Sequence, residues 1–552
     1  MANPNQIFNT VSFRNAKRSL QNLSNTYKGI TDFGPIVPIG LYEIYPGDVM
    51  RKSTQIFLRA MPMLAPILHE CDIYTHDFFV PWRLIWEDYE KYLIPQDGET
   101  ADSIPVKPYF KTGRDFITTD AAALRLQIGS LWDRFGLPVI SARSQLPATS
   151  SDDTNICSLP FRAYQLIWNE YYRDQNLQTP VEISKGSGAE SMANGFNPLT
   201  ILRYRAWEKD YFTSALPRPQ KGEPIGIDLS GVPGQRLNVQ LDGNRTAENY
   251  QKLMGLNGYI ANANPAGNPA GVLTSKNEGS GTAVPMWLDP NGSLFVQSEG
   301  QSQGYFTIEM LREAMRLQEF MEQLMRGGSR YSEVVRNMFG QIPDDLRIGR
   351  PAYLGGGKQN LVISEVLQTS ESVPEQSALG DMAGHGISVG SSNMWKALFK
   401  EHGYVLSLMS IRPRSGYMQG VNKLWLKNDR YEEMWPLFAH LGEQPVLNGE
   451  LYWDWNDGKN RDEFGYQPIY TEMRTKPSLV TGDLRTSLDF WHLNRKFTQR
   501  PSLNADFITV SPDETNRVFA VTDAASGSHL IFEAQNNVKM IRCIPRDGNP
   551  TL

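Results

Sequence analysis

The stretch from Asp48 to Trp86, DVMRKSTQIFLRAMPMLAPILHECDIYTHDFFVPWRLIW, constrains the fold of this chain more than any other. Between Met50 and Met61, Thr54, Ile56, Leu58 and Ala60 fall on one parity and Arg51, Ser53, Gln55 and Arg59 on the other. That is the two-residue period of a half-buried strand, with Phe57 spoiling a strict alternation. Pro62 and Pro66 bracket a short connection, because proline has no N–H to give a ladder and so ends a central strand. A second strand is predicted from Ile67 to Val80, with Ile67, Cys71 and Ile73 on one face and Pro81 as its stop. Two long strands joined by a proline-rich link predict a large sheet protein.

Composition narrows the class. A chain of 552 residues would ordinarily divide into about three or four domains, but all-β folds exceed that prior by carrying long excursions between strands. Hydrophobic residues make up 40%, enough for a sizeable core. A net charge of -6 argues against a surface given over wholly to nucleic acid, while leaving room for a local basic patch. No apolar run reaches the roughly 18 residues of a membrane span, so no membrane insertion is expected. The first twenty residues lack the apolar centre of a signal peptide. Cys71, Cys157 and Cys543 are far apart and odd in number, as in thiols kept reduced in a cytoplasm, and no Cys-x-x-Cys suggests zinc.

Residues 1–30 carry Arg14, Lys17, Arg18 and Lys28 with no Asp or Glu. This reads either as a mobile basic arm lying against phosphate or as an ordinary frayed terminus. A short helix is expected around Thr119 to Phe135. SLPFRAYQLIWNEYYRDQNL spaces Phe161, Tyr164, Ile167, Trp168 and Tyr171 at helical intervals, with Ser158 as candidate cap and Pro160 in the first turn. Its aromatic stripe is expected to pack on the sheet. In RYRAWEKDYFTSALPRPQKG, charge and aromatics together would suit base stacking with phosphate contacts, or a protein interface, and the interface reading is taken. Residues 222–304 are dense in Gly, Asn and Pro and short of long apolar side chains, as in a surface insertion. FTIEMLREAMRLQEFMEQLMRGG then sets Met310, Leu311, Ala314, Leu317, Phe320, Met321 and Leu324 along one helical face, with Glu313–Arg316 and Glu322–Arg326 as outer pairs and Gly327 and Gly328 as the stop.

Several stretches invite chemistry. Gly355, Gly356, Gly357 and Lys358 resemble a phosphate loop, but Ala352 stands where the first glycine belongs and Gln359 follows the lysine, so a glycine turn into a strand is the reading. His385 lies between glycines with no nucleophile or orienting carboxylate at a recognisable spacing, and is read as structural. EHGYVLSLMSIRP is apolar on both parities, as in a strand covered on both faces. Trp425, Trp435, Trp453, Asp454, Trp455 and Asp457 combine aromatics with paired acids, which a carbohydrate-binding or glycan-cleaving site would use and an interface would use equally. DFWHLNRKFTQRPSLN supplies a basic loop with Arg495, Lys496 and Arg500, and residues 537–546 end the chain as a strand.

Seven segments in order carry a resemblance: HDFFVPWRLIW, RAYQLIWNEYYRDQNL, DYFTSALPRPQKG, the helix with RGGSRY, RPAYLGGG, HGISVG and EHGYVLSLMSIRP. On these the chain resembles the major capsid proteins of the small single-stranded DNA phages, the microviruses, and is most similar to the gokushovirus branch. The resemblance implies an all-β, eight-stranded antiparallel jelly roll with long inserted loops and a few helices, assembling as a T = 1 icosahedral shell around circular single-stranded DNA. It implies one jelly-roll domain over residues 31–552, with the insertion at 222–304 projecting outward. Partners would be further copies of the chain, the genome, a small basic DNA-packaging protein, a DNA pilot protein and a receptor on the bacterial host. It implies a virion component assembled in the host cytoplasm, with no catalytic residue, cofactor or matched metal-ligand set.

Two groups of contact residues follow. Arg14, Lys17, Arg18, Lys28, Arg495, Lys496 and Arg500 are the candidates for nucleic acid. Asn262, Asn264, Asn268, Ser275, Asn277 and Ser280 are those for the protruding receptor surface. The rival is a β-sandwich enzyme or lectin acting on carbohydrate through the Trp453–Asp457 cluster. In the jelly-roll reading, the two strands of the Asp48–Trp86 stretch become the first two of the roll, and His69 and His76 become strand residues.

Overall fold

The chain is seen as a computed structural model. It describes residues 18–94, 104–150, 155–190, 197–222, six short strands between 237 and 296, and residues 308–328, 330–341, 349–367, 382–521 and 528–545. It divides into two compact units, residues 222–321 and the remainder of the chain.

The larger unit is built on ten antiparallel strands: β1 (Ser19–Asn22), β2 (Asn25–Thr31), β3 (Val37–Ile44), β4 (Val49–Ala60), β5 (Cys71–Pro81), β6 (Ala352–Leu367), β7 (Met382–Ser391), β8 (Trp395–Leu398), β9 (Gly403–Pro413) and β10 (Leu530–Arg542). Eight form a continuous path, β1-β10-β4-β7-β6-β5-β9-β3, while β8 pairs with β4 and β2 with β10. β6 joins two halves: its residues 352–361 pair with β5 and its residues 362–367 with β7. The sheet thereby curls on itself into an all-β jelly-roll sandwich, as expected.

Alternation in β4 holds as read. Met50, Thr54, Ile56, Leu58 and Ala60 are buried, and Arg51, Gln55 and Arg59 are exposed. Phe57 keeps to the outer parity and is exposed. β3, β4, β5, β9 and β10 all send side chains into one buried cluster, among them Ile39, Leu58, Ile73, Ile411 and Phe532. β9 is buried along nearly its whole length, as its double-sided apolar pattern requires.

Several expectations are corrected. β4 and β5 are the fourth and fifth strands, not the first two, and they do not pair: two strands of the path separate them. β5 starts at Cys71, since residues 67–70 spend their hydrogen bonds elsewhere: the Leu68 N–H goes to Trp491 O and His69 Nε2 bonds Arg414 O. His69 is therefore a link residue. Residues 19–31, read as part of an arm, form β1 and β2 on the edge of β10, where Tyr27 stacks on Phe532 at 5.7 Å. The triple glycine is no turn but lies inside β6. A Cβ at Gly356 would sit 2.1 Å from Thr75 O, and one at Gly357 2.7 Å from Ser392 Cα, so only glycine permits the approach.

Helices cover the outside. α1 (Leu159–Ile167) continues into a π-turn over residues 168–172 and buries Phe161, Tyr164, Ile167 and Trp168 against β5 and β9, as the aromatic stripe predicts. Ser158 does not cap it; its hydroxyl donates to Glu190, which also accepts from Arg162 Nε at 2.7 Å. The expected helix at 119–135 is broken into short turns, with Gly129 at positive φ between them. α2 (Ile308–Gly327) forms, and the apolar face assigned to it is covered in part: Ala314, Met321 and Leu324 are half-buried, while Leu311, Leu317 and Phe320 are exposed. Its ion pairs among the described residues include Arg316–Glu319 and Arg326–Glu443. In the smaller unit, four short strands form an antiparallel sheet in the order 283–286, 273–276, 260–263, 253–254.

Candidate nucleic-acid and assembly surfaces

Of the basic residues singled out, Arg14 and Lys17 lie outside the described residues, and Arg18 is exposed just before β1. Lys28 is not on a free arm. It stands in β2 with its ammonium 3.8 Å from Glu533 on the neighbouring strand.

The basic loop is neutralised. Arg495 is 1% exposed, donates through Nε and Nη2 to both oxygens of Glu514 at 3.0 Å, and lies over the rings of Trp207, Phe497 and Phe507. Lys496 pairs with Asp489. Arg500 is held by Asp457 and by Asn460 Oδ1. Arg495 is thus a core cation, and Lys496 and Arg500 each have a carboxylate partner. Asp489 lies in the same segment as Lys496, but sequence could not show the other two partners, which come from 457 and 514.

The same contacts weigh against a sugar-cleaving site. Such a site needs one carboxyl group raised enough to act as acid. Asp457 is instead held below the usual carboxylate range, first by the Lys459 N–H and then by Arg500. Asp454 accepts from the Asn456 N–H at 2.9 Å. The Trp453 and Trp455 rings meet edge to face, and Trp455 projects into solvent.

Between residues 424 and 479 large apolar side chains lie open: Leu424, Trp425, Leu437, Leu441, Trp455 and Leu479 are each at least 67% exposed. Leu424, Trp425 and Leu479 line one cavity of about 270 Å³ together with Tyr211 and Phe212. Exposed apolar surface so concentrated in one part of a chain marks an interaction site.

A second cavity, of about 520 Å³, was not legible as a unit. His76 and Phe78 from β5, Tyr171 and Tyr172 from the end of α1, Tyr353 from β6 and Arg412 from β9 line it, with Arg205, Lys209 and Arg350. β5 explains the placement. Its odd residues face the sandwich core, whereas Tyr74, His76 and Phe78 share the outer face, and Ser410 and Lys358 stand opposite Tyr74 on the two flanking strands. Arg205 lies 4.0 Å above the Tyr74 ring and donates to Ser410 Oγ at 2.8 Å. Arg412 and Lys358 also approach that ring. His76 Nδ1 is 2.7 Å from the Tyr172 hydroxyl, and burial, then the Arg205 charge, lower its pKa to about 4.

The insertion candidates divide. Asn262 lies in the strand Ile260–Ala263 opposite Thr274, and Ser275 in Leu273–Lys276 opposite Ala261. Asn264, Asn268, Asn277 and Ser280 lie outside the described residues. His385 is a residue of β7 opposite Ser364, in keeping with its structural reading. Among the described residues no cluster of metal-ligating side chains occurs, and no helix is long and apolar enough to cross a membrane.

A family model described as capsid protein (F protein) matches residues 9–552. Capsid protein VP1 of Bdellovibrio phage phiMH2K is 34% identical, over 89% of this chain and 87% of its own length. Capsid protein VP1 of Chlamydia phage 1 is 32% identical, over 99% and 97%, and that of Spiroplasma virus 4 is 29% identical, over 94% and 92%.

Proposed function

The chain belongs to the phage F capsid-protein family, a structural protein and not an enzyme, and from that premise we propose that it closes into a T = 1 icosahedral shell around a circular single-stranded DNA genome. The observation that carries the assembly reading is the set of open apolar side chains between residues 424 and 479, among them Trp425, Leu437, Trp455 and Leu479. Burying such side chains against a neighbouring copy removes them from water, at about 25 cal/mol per Å² of apolar area. Repeated between identical copies, a heterologous contact of this kind closes into a shell when its rotations close.

In this reading the gokushovirus-like chain is a virion component assembled in the host cytoplasm. Residues Arg14, Lys17 and Arg18 face the genome, and residues 222–304 contact the receptor on the bacterial host. A small basic DNA-packaging protein and a DNA pilot protein complete the particle. Electron microscopy of the purified chain, with nuclease-protected nucleic acid measured in the same fractions, tests the proposal. Closed particles of sixty copies holding single-stranded DNA are expected, and a monomer under all assembly conditions would overturn it.

A further inference from the structure

We propose that the cavity between β5, β9 and the end of α1 is a binding site for one nucleotide of a single strand, taking the base against tyrosine and the phosphate against Arg205. The inference rests on the reading that the shell encloses single-stranded DNA, and adds where the protein grips it.

Four cationic side chains, Arg205, Lys209, Arg350 and Arg412, line the cavity, and no carboxylate does. Two of the four are already committed: Lys209 pairs with Asp174, and Arg412 lies 3.7 Å from Glu208. Arg205 differs. Glu208 acts on it only at a distance, without an ion pair among the described residues, and its guanidinium donates to the neutral Ser410 hydroxyl. A guanidinium largely removed from water and not paired directly with a carboxylate can receive an anion, and phosphate matches its fork of N–H donors.

The second half of the ligand is read from the rings. Tyr353 is half exposed on one side of the cavity, while Phe78, Tyr171 and Tyr172 form its wall. Every base has a π-face, so such a platform holds a base without selecting its identity. A third observation is independent of both. Trp207, which also lines the cavity, is 2% exposed, and its indole N–H has no hydrogen-bond partner among the described residues. A buried donor is ordinarily satisfied, so this one is open to an acceptor such as a base carbonyl or phosphate oxygen if the cavity brings one within reach. His76 is neutral at physiological pH and bonded to Tyr172, so it shapes the wall and adds no charge.

The test is fluorescence anisotropy with the full-length chain and three labelled probes: a deoxyadenosine decamer, an abasic decamer of equal charge, and adenosine monophosphate. The decamer should bind at least tenfold more tightly than the abasic strand. Tyr353→Ala should weaken the decamer about tenfold and leave the abasic strand unchanged. Arg205→Gln should weaken both strands and reduce the salt dependence by about 0.7 in log–log slope, the share of one phosphate, with Arg205→Lys restoring the slope. Unchanged decamer affinity in both Tyr353→Ala and Arg205→Gln overturns the proposal, as does equal binding of the two strands by the parent chain. Tight binding of the monophosphate without binding of the decamer overturns the assignment to a strand. Native particles separate this from the wider reading: shells of the Tyr353→Ala chain that still hold single-stranded DNA leave genome enclosure standing, whatever becomes of the cavity.

Discussion

The Lys52 ammonium lies 2.9 Å from Asp77 Oδ1, with both side chains buried, and joins β4 to β5, strands that never pair with each other. Lys52 also donates to Thr54 Oγ1 at 2.6 Å, and Asp77 accepts from Trp395 Nε1 at 2.7 Å. The pair therefore ties the two halves of the sandwich across its interior. Removing one partner of such a pair strands a charge in the core, at a cost of about 3–5 kcal/mol. Lys52→Met and Asp77→Leu should each lower stability by that order in urea denaturation of unassembled chains. The double substitution should be less destabilised than the sum of the two, and strict additivity would show that the pair is not coupled.

Arg495 makes a second prediction, one that separates a core cation from a genome contact. Its guanidinium is enclosed by Trp207, Phe497 and Phe507 and is paired with Glu514. Arg495→Gln leaves Glu514 without its cation and should destabilise the unassembled chain by about 2–4 kcal/mol. Shells that do form should carry the parent amount of DNA per particle, measured as the absorbance ratio at 260 and 280 nm. A drop in DNA content with unchanged stability would return this residue to the genome-facing surface.

How far sequence reached is clearest in β4. Alternation identified its buried and exposed faces, because a half-buried strand imposes a period of two on its side chains. Lys52 falls on the apolar parity, and its partner there, Asp77, is 25 positions away and comes from a strand elsewhere in the sheet. β1 and β2 were missed for a related cause. SLQN and NTYKGIT have little apolar pattern of their own, and they are strands because β10 offers them an edge. The helices divide in the same way: α1 buries its stripe, while the periodicity of α2 fixed the helix but not what would cover Leu317 and Phe320. In the cavity, the outer parity of Tyr74, His76 and Phe78 was visible, but Arg205, Tyr353 and Arg412 reach it from three distant segments.

His76 makes stability depend on pH. Burial, then the Arg205 charge, lower its pKa from the ordinary 6.5 to about 4, so the unfolded chain binds the proton more readily. A base depressed in the folded state leaves stability intact above about pH 6.5, and the loss grows as pH falls toward 4. The difference corresponds to about 3 kcal/mol from this group. His69, also lowered to about 4 by burial, acts in the same direction. Urea midpoints between pH 7 and 4 should fall for the parent chain, and His76→Gln should flatten that decline. An identical slope in the variant would mean that His76 is not neutral in the fold.

The exposed apolar side chains between residues 424 and 479 should matter to assembly and not to the folded subunit. Trp425 is 77% exposed, Leu437 84% and Trp455 87%, so replacing any of them by serine removes little that the isolated chain buries. Surface substitutions of this kind usually change stability by less than about 0.5 kcal/mol. In a shell the same side chains become interface anchors, where truncating an aromatic costs about 2 kcal/mol or more at a single contact. Each contact recurs in every copy, so a modest loss at one residue is repeated around the particle and raises the concentration at which shells form. Trp425→Ser, Leu437→Ser and Trp455→Ser should therefore keep the parent urea midpoint while lowering the yield of particles in sedimentation. Parent-like assembly by all three would move the subunit contacts to another face, of which the uncovered Leu317 and Phe320 on α2 are the next to test.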